Sequence, residues 1–199
     1  WYWFAVIDRN LQQAPLADPV PGRSRLRRLF SKLDYPAWLA ATVSWLLLLH
    51  GLRLAHWGTY FGWLAISMYL AVYLPVFLTW TSQLIRRSGL PLGLAAAITW
   101  TVLELIRGHM ITGFSMGLLA HTQAHHTYLI QIADFSGAYG VSFLIILVSG
   151  CIYRVGPWNP GRPKRWALAP AGTALLLLAA TMTYGAWACL LYTSDAADE

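Results

Sequence analysis

Two opposite charges, Glu104 and Arg107, stand near the end of an apolar run that begins at residue 90. A charged side chain in a membrane segment costs about 2.5–3.5 kcal/mol near the middle of the bilayer and less toward its ends. Positions three apart share one face of a helix, so the two groups can pair. Trp100 and Leu103 lie on the same side. We expect an ion pair that packs this helix against its neighbours or caps it at the membrane interface, in preference to catalysis by either residue.

Three histidines follow, and their spacing raises the question of a metal or a haem. His121 and His125 are four apart, which lets two imidazoles share one ion on a helix, and His126 is adjacent. No carboxylate or cysteine stands at a matching offset, since Asp134 is well downstream. The sequence therefore predicts no metal and no cofactor. A non-enzymatic membrane protein that uses these histidines, such as a transporter or a haem-binding or metal-binding subunit, stays as the alternative.

The segment that contains these groups is rich in turn and capping residues. Gly113 and Gly117 allow tight turns or close backbone approach, so residues 112–117 are expected to form a short helix or a re-entrant loop. Further along, Asp134 or Ser136 can cap the next helix by accepting its first N–H groups. Small residues also let membrane helices approach closely. Two glycines at the start of that helix are candidates for such a contact: Gly137 and Gly140.

The composition indicates an integral membrane protein. Hydrophobic residues make up 57% of the 199 residues and charged ones only 11%, against about 45–50% and 25% in soluble domains. The net charge of +6 comes from short basic clusters between apolar runs. It does not form the continuous stripe of a nucleic-acid-binding surface. Cys151 and Cys189 lie in apolar runs and are expected to be buried small side chains.

The predicted fold class is all-α: a polytopic transmembrane helix bundle with about five full spans and a partial N-terminal one. About 20 apolar residues suffice for each crossing, and open sheets cannot exist in lipid. Residues 1–35 are predicted to be the end of a preceding helix and a basic cytoplasmic loop, and residues 36–188 the transmembrane domain. The span at 139–153 is short unless residues 135–138 join it. The predicted spans are 36–54, 60–83, 90–107, 139–153 and 166–188.

The distribution of Lys and Arg predicts the orientation of these spans. The cytoplasmic loops of membrane proteins are enriched in Lys and Arg. Three loops of this chain are rich in them, whereas 55–59 and 109–135 have none. Five crossings then place residues after 188 on the outer side. The basic loops are 8–35, 86–87 and 154–165.

A series of short motifs resembles the membrane domain of apolipoprotein N-acyltransferase. The order is W-x3-E-x2-R, then TGF, a Gln, and AD-x2-G-x-YG-x-SFL, and it covers about a quarter of the chain. The family usually carries Pro-Trp after the Gly-Phe, where this chain has Ser115-Met116. The matching positions are Trp100, Glu104, Arg107, 112–114, Gln123, 133–134, Gly137, 139–140 and 142–144.

The resemblance implies an acyltransferase of the bacterial inner membrane. Its donor would be a phospholipid and its acceptor the N-terminal diacylglyceryl-cysteine of a lipoprotein, with no nucleic acid involved. In that family a nitrilase-like domain with a Glu-Lys-Cys triad follows on the outer face. None of that domain is present here, so we expect no catalytic residue in this chain and no activity from it alone. Cys189, at the end of a span, is not expected to be the nucleophile.

We therefore expect residues of this motif series to shape a cleft for lipid and to position substrate. Glu104 and Arg107 would order its outer mouth. The full predicted set is Glu104, Arg107, Gly113, Phe114, Gln123, Tyr139 and Gly140.

The ends of the chain read as those of a fragment. Residues 1–7, followed by Asp8 and Arg9, resemble the tail of a helix whose beginning is missing. Residues 189–199, CLLYTSDAADE, resemble a translated adapter sequence from library preparation and are expected to be non-native.

Overall fold

The computed structural model describes residues 2–13, 35–54, 56–110, 113–156 and 168–198. Within these ranges the chain forms helices and turns without a strand, which confirms the predicted all-α class. Two short 3₁₀ turns, His50–Leu54 and Leu119–Gln123, accompany the α-helices. The basic loops at 8–35 and 154–165 lie largely outside the described residues. The α-helices are α1 (Tyr2–Gln13), α2 (Tyr35–Leu48), α3 (Thr59–Ala71), α4 (Tyr73–Ser88), α5 (Leu92–His109), α6 (Thr127–Ile130), α7 (Ala133–Val155) and α8 (Leu168–Asp198).

In the part of the chain that the structure describes, three helical stretches are long and apolar enough to cross a membrane: Thr59–Ser88, Ala133–Val155 and Ala171–Leu191. They correspond to the spans predicted at 60–83, 139–153 and 166–188. The helix predicted at 36–54 is shorter, since α2 is an apolar helix of 14 residues that ends before the first 3₁₀ turn. Helix α5 has 18 residues but is not among the three, because its last turns carry polar and charged side chains. The number of five crossings stays a prediction.

A proline accounts for the interruption within the stretch Thr59–Ser88. Pro75 has no N–H, so the carbonyl of Ala71 cannot receive its helical hydrogen bond, and the ring crowds that carbonyl. Helix α3 ends at Ala71 and α4 begins at Tyr73, with Val72 still close to helical geometry at φ −64° and ψ −27°. The Val72 N–H donates to Tyr69 O at 3.2 Å, a tighter turn than the α-helix. The chain therefore stays helical through this break.

Helix α7 extends the span predicted at 139–153 at its N-terminal side, through a break at Gly137. This glycine has φ 65° and ψ −177°, a conformation that other residues rarely adopt. The expected side-chain cap was wrong. Ile132 occupies the N-cap position without a side-chain bond, and the Ser136 hydroxyl donates back to Ile132 O at 2.8 Å. Asp134 lies in the first turn, where a negative charge favours the helix dipole.

The chain divides into two compact units, and the first comprises residues 1–6 and 84–199. In it α5 packs on α7 where two glycines meet: a Cβ on Gly150 would collide with the Cα of Gly93. The glycine contact expected at Gly137 and Gly140 was wrong, since a Cβ at Gly137 would meet nothing within 4 Å and one at Gly140 would meet only Ser136 of the same helix. Helix α8 packs on α7 through a buried apolar cluster of Leu144, Val148, Cys151 and Ala174.

The second unit comprises residues 7–83 and contains a helical hairpin of α2, the turn His50–Leu54, and α3. The Trp63 indole N–H donates to Leu46 O at 3.2 Å across the hairpin. Many of its large apolar side chains are exposed, as expected for lipid-facing helices.

Candidate functional site

The loop between α5 and α7 folds back onto the end of α5. The Phe114 N–H donates to Arg107 O at 3.1 Å, and the Gly113 N–H donates to Met110 O at 3.0 Å. Gly113 has φ 69°, and a Cβ there would lie 2.7 Å from Gly108 O. Only glycine fits this return without strain. The first part of the loop is therefore a tight turn against the helix end.

The Glu104 carboxylate bonds the helix to the loop. This side chain is 2% exposed. Its Oε1 accepts hydrogen bonds from Trp100 Nε1 at 3.0 Å and from the Leu119 backbone N–H at 2.8 Å. Within the described residues, its Oε2 is buried without a hydrogen-bond partner. Because a buried carboxylate needs donors to offset desolvation, the loop N–H and the indole are part of what keeps Glu104 in this position.

Arg107 bonds to the same loop one turn further along the helix. It is 3% exposed, and its Nη2 donates to Gly117 O at 3.2 Å. Gly117 has φ 69°, another turn that favours glycine. The two charges share a face of α5, as predicted, and each is bonded to the backbone of the following loop. The pair therefore orders the loop at the helix end, in addition to any effect that the two charges have on each other.

A third buried side chain attaches the loop to α7. The Ala120 backbone N–H donates to Ser142 Oγ at 3.0 Å, and Ser142 is fully buried. Leu118 and Ala120 are themselves buried, so the loop contributes apolar side chains to the packing. Ser142 lay within the sequence motif but was not predicted as a site residue, because a serine in an apolar span gives no signal of its partner.

The other predicted site residues lie around this loop. Gln123 is partly buried at the end of the second 3₁₀ turn, where its Nε2 donates to Thr122 Oγ1 at 3.0 Å. Tyr139 is also partly buried. Its hydroxyl lies against Gly108, where it would collide with any added Cβ. Tyr139 is thus brought to the end of α5. Gly140 packs against Ser136 of its own helix.

The histidines do not converge. His121, His125 and His126 are all exposed. Among the residues that the structure describes, no group of three or more His, Cys, Asp or Glu side chains could hold a metal ion. The metal-binding alternative therefore gains no support from the described residues.

The C-terminal part of α8 contacts α6 and the residue that follows it. A Cβ on Gly185 would run into the backbone of Tyr128, so α8 and α6 are in close contact there. The Gln131 Nε2 donates to Cys189 Sγ at 3.6 Å. This bond links α8 to the residue that follows α6. That Cys189 is not the nucleophile stays a prediction.

Apolar helices of membrane-spanning length and a loop bonded to buried charges define the class: a polytopic helical membrane protein. The family model of the apolipoprotein N-acyltransferase N-terminal domain matches residues 24–151. The chain belongs to the apolipoprotein N-acyltransferase family.

Individual relatives agree with this assignment. The chain is 39% identical to the apolipoprotein N-acyltransferase of Rhodopirellula baltica over 165 residues, which cover 76% of this chain and 29% of that protein. It is 36% identical to the apolipoprotein N-acyltransferase of Geobacter metallireducens over 121 residues, or 59% of this chain and 22% of that protein. The chain thus spans less than a third of the length of these relatives. No solved structure matches it.

Proposed function

We propose that this chain is the membrane-embedded part of an apolipoprotein N-acyltransferase of the bacterial inner membrane. The enzyme would move an acyl chain from a phospholipid to the N-terminal diacylglyceryl-cysteine of a lipoprotein. The observation that carries this proposal is the match of the family's N-terminal domain to residues 24–151. The names of the curated relatives support the same activity.

The role proposed for this chain is to position the two lipid substrates. Glu104 and Arg107 hold the loop at the end of α5, and this loop presents an exposed apolar side chain, Met116, to the surroundings. Phe135, at the start of α7, is 80% exposed. Such side chains suit acyl chains that must reach the membrane surface. Gly113, Phe114, Gln123, Tyr139 and Gly140 are proposed to shape the same cleft.

The bond-making chemistry is proposed to lie in a part of the enzyme that follows residue 188 on the outer side of the membrane. There a thiolate would attack the phospholipid ester and a carboxylate would transfer protons. Cys189, which accepts a hydrogen bond from Gln131, is not proposed as that thiolate. The chain of 199 residues is therefore expected to be inactive alone.

An acyl-transfer assay tests whether the bond-making chemistry lies outside this chain. The purified chain is mixed with phospholipid and a diacylated lipopeptide, and the lipopeptide is weighed by mass spectrometry. We expect no added acyl group. The product of the unbroken reading frame of the source gene, assayed in parallel, is expected to add one. Transfer by the chain alone would place the chemistry within these residues and contradict the proposal.

The orientation has its own test. With Cys151 and Cys189 both replaced by Ala, single cysteines are introduced at positions 165 and 188 and treated with a membrane-impermeant maleimide in intact spheroplasts. Labelling at 188 and protection at 165 are expected. The reverse pattern would put the C-terminal side of α8 in the cytoplasm and rule out an outer catalytic part.

A further inference from the structure

Arg53 is the only charged side chain in the stretch of sequence that contains α2, α3 and the turn between them. It is the only Lys or Arg between residues 35 and 83, and this stretch contains no Asp or Glu. It lies in the 3₁₀ turn His50–Leu54 that joins the apolar helices α2 and α3. A cation beside apolar helices is costly unless an anion or a set of hydrogen-bond acceptors meets it.

An aromatic ring holds the guanidinium in place. The Cζ of Arg53 lies 5.7 Å from the centroid of the Trp63 ring. The Trp63 indole is fixed in turn by its bond to Leu46 O. A cation–π contact of this kind is an attraction between the positive charge and the face of the ring, and it does not replace hydrogen-bond acceptors for the N–H groups.

One N–H donor of this guanidinium has no acceptor among the described residues. Arg53 Nε is buried, and among the described residues it has no hydrogen-bond partner. The side chain as a whole is partly exposed, so a ligand can reach the outer part of the guanidinium. These outer N–H groups can bind an oxyanion, because the planar fork of a guanidinium matches phosphate oxygens.

The neighbouring surface is apolar and aromatic. Three side chains close to Arg53 in the chain are about three-quarters exposed or nearly so: Leu54, Trp57 and Phe61. Aromatic side chains of this kind collect at the level of the lipid headgroups. The N-terminus of α3, which begins at Thr59, adds a partial positive charge to the same turn region. A ligand that carries both a phosphate and apolar chains fits this surface better than a free anion does.

We infer that Arg53, stacked on Trp63, binds the phosphate group of a membrane phospholipid at the turn between α2 and α3. The guanidinium N–H groups donate to the phosphate oxygens, while the exposed aromatic and aliphatic side chains contact the acyl chains. This site lies in the second compact unit and uses none of the residues proposed for acyl transfer. It therefore does not depend on the proposed function.

Native mass spectrometry of the full chain released from detergent tests the site. The protein is titrated with phosphatidylglycerol, with diacylglycerol of the same acyl chains, and with sodium phosphate. Wild-type protein is expected to retain phosphatidylglycerol. Arg53→Gln is expected to bind it about tenfold more weakly, as the loss of a charged hydrogen bond implies. Arg53→Lys keeps the charge without the fork and should fall between the two.

Arg87→Gln is the matched control, since Arg87 is an exposed arginine at the end of α4 and carries the same charge. Its phosphatidylglycerol affinity should equal that of wild type. Equal affinity of wild type and Arg53→Gln, or equal losses in Arg53→Gln and Arg87→Gln, would overturn the site. If circular dichroism shows that Arg53→Gln is not folded, Arg53→Lys takes its place. Phosphatidylglycerol affinity of Arg53→Lys equal to that of wild type would then overturn the site. Displacement of the lipid by millimolar phosphate, or equal retention of diacylglycerol, would overturn the assignment to a lipid phosphate.

Discussion

Charged side chains differ in burial and in bonding between the end of α5 and the turn between α2 and α3. At the end of α5, Glu104 and Arg107 are almost completely buried, and each bonds to the backbone of the loop that follows. At the other turn, Arg53 is partly exposed, rests on an aromatic ring, and keeps a buried donor that no described residue accepts from. Almost completely buried charges that bond to the backbone of a loop order the fold. The partly exposed charge at the other turn is the one that we propose to bind a ligand.

The largest effect on stability is expected at Glu104. Glu104→Ala removes the acceptor of the Trp100 and Leu119 N–H groups and leaves them unsatisfied, at a cost of about 3 kcal/mol in the free energy of unfolding. SDS titration in mixed micelles, followed by tryptophan fluorescence, measures this change. Glu104→Gln keeps one carbonyl oxygen that can accept from Leu119 and should cost less. Equal stability of Glu104→Ala and wild type would mean that this end of α5 does not depend on its charge.

A smaller loss is expected where α5 and α7 touch without charges. Gly150→Val forces a side chain into the backbone of Gly93, which should cost about 2 kcal/mol through overpacking. Gly172→Ala is the control, because a Cβ there meets nothing within 4 Å. The same SDS titration applies. A stable Gly150→Val protein would show that the close contact of the two helices is dispensable.

Removal of a neutral anchor of the loop should cost less again. Ser142→Ala leaves the Ala120 N–H without its acceptor, and we expect a loss of about 1 kcal/mol. Hydrogen exchange at the amides of residues 118–124 should accelerate more in this variant than exchange in α3. If exchange in α3 rises as much as exchange in the loop, Ser142 supports the whole fold and not the loop in particular.

The smallest change in stability is expected at Arg53. Without added lipid, Arg53→Gln loses only its stacking on Trp63, a contribution of about 0.5 kcal/mol. In detergent its unfolding curve should nearly overlay that of wild type. Addition of phosphatidylglycerol should then stabilise wild type more than the variant, because a ligand stabilises the folded state that binds it. A large loss in lipid-free detergent would place Arg53 with Glu104, among the structural charges.

The sequence predicts the helices better than it predicts what they bond to. Apolar runs mark α3, α4, α7 and α8, because the membrane demands long helices whatever their partners are. The positions of Glu104 and Arg107 on one face follow from helix geometry. Their bonds to Leu119 and Gly117 do not, because they join residues 15 and 10 positions apart through a non-repetitive loop.

The errors have the same origin. Gly137 and Gly140 had the residue type for a close helix contact, but Gly150 makes it. Which glycine faces α5 depends on the rotation of α7 about its axis. Gly140 and Gly150 are ten residues apart in the same helix, so they lie about 80° apart around that axis. The expected cap by Asp134 or Ser136 failed because the turn at Gln131 and Ile132 already brings the chain into helical geometry before Ala133.

The length of the stretch Thr59–Ser88 has a mechanical consequence. Its 30 residues extend over about 45 Å at the rise of an α-helix, whereas the hydrocarbon layer is about 30 Å thick. Even a steep tilt of about 40° shortens its projection only to about 34 Å. The surplus must emerge from the bilayer, and the end that carries Arg86 and Arg87 is the one suited to water. With its apolar part in the hydrocarbon layer and its charged end in water, this helical stretch would be held at a fixed depth and would resist sliding along the membrane normal.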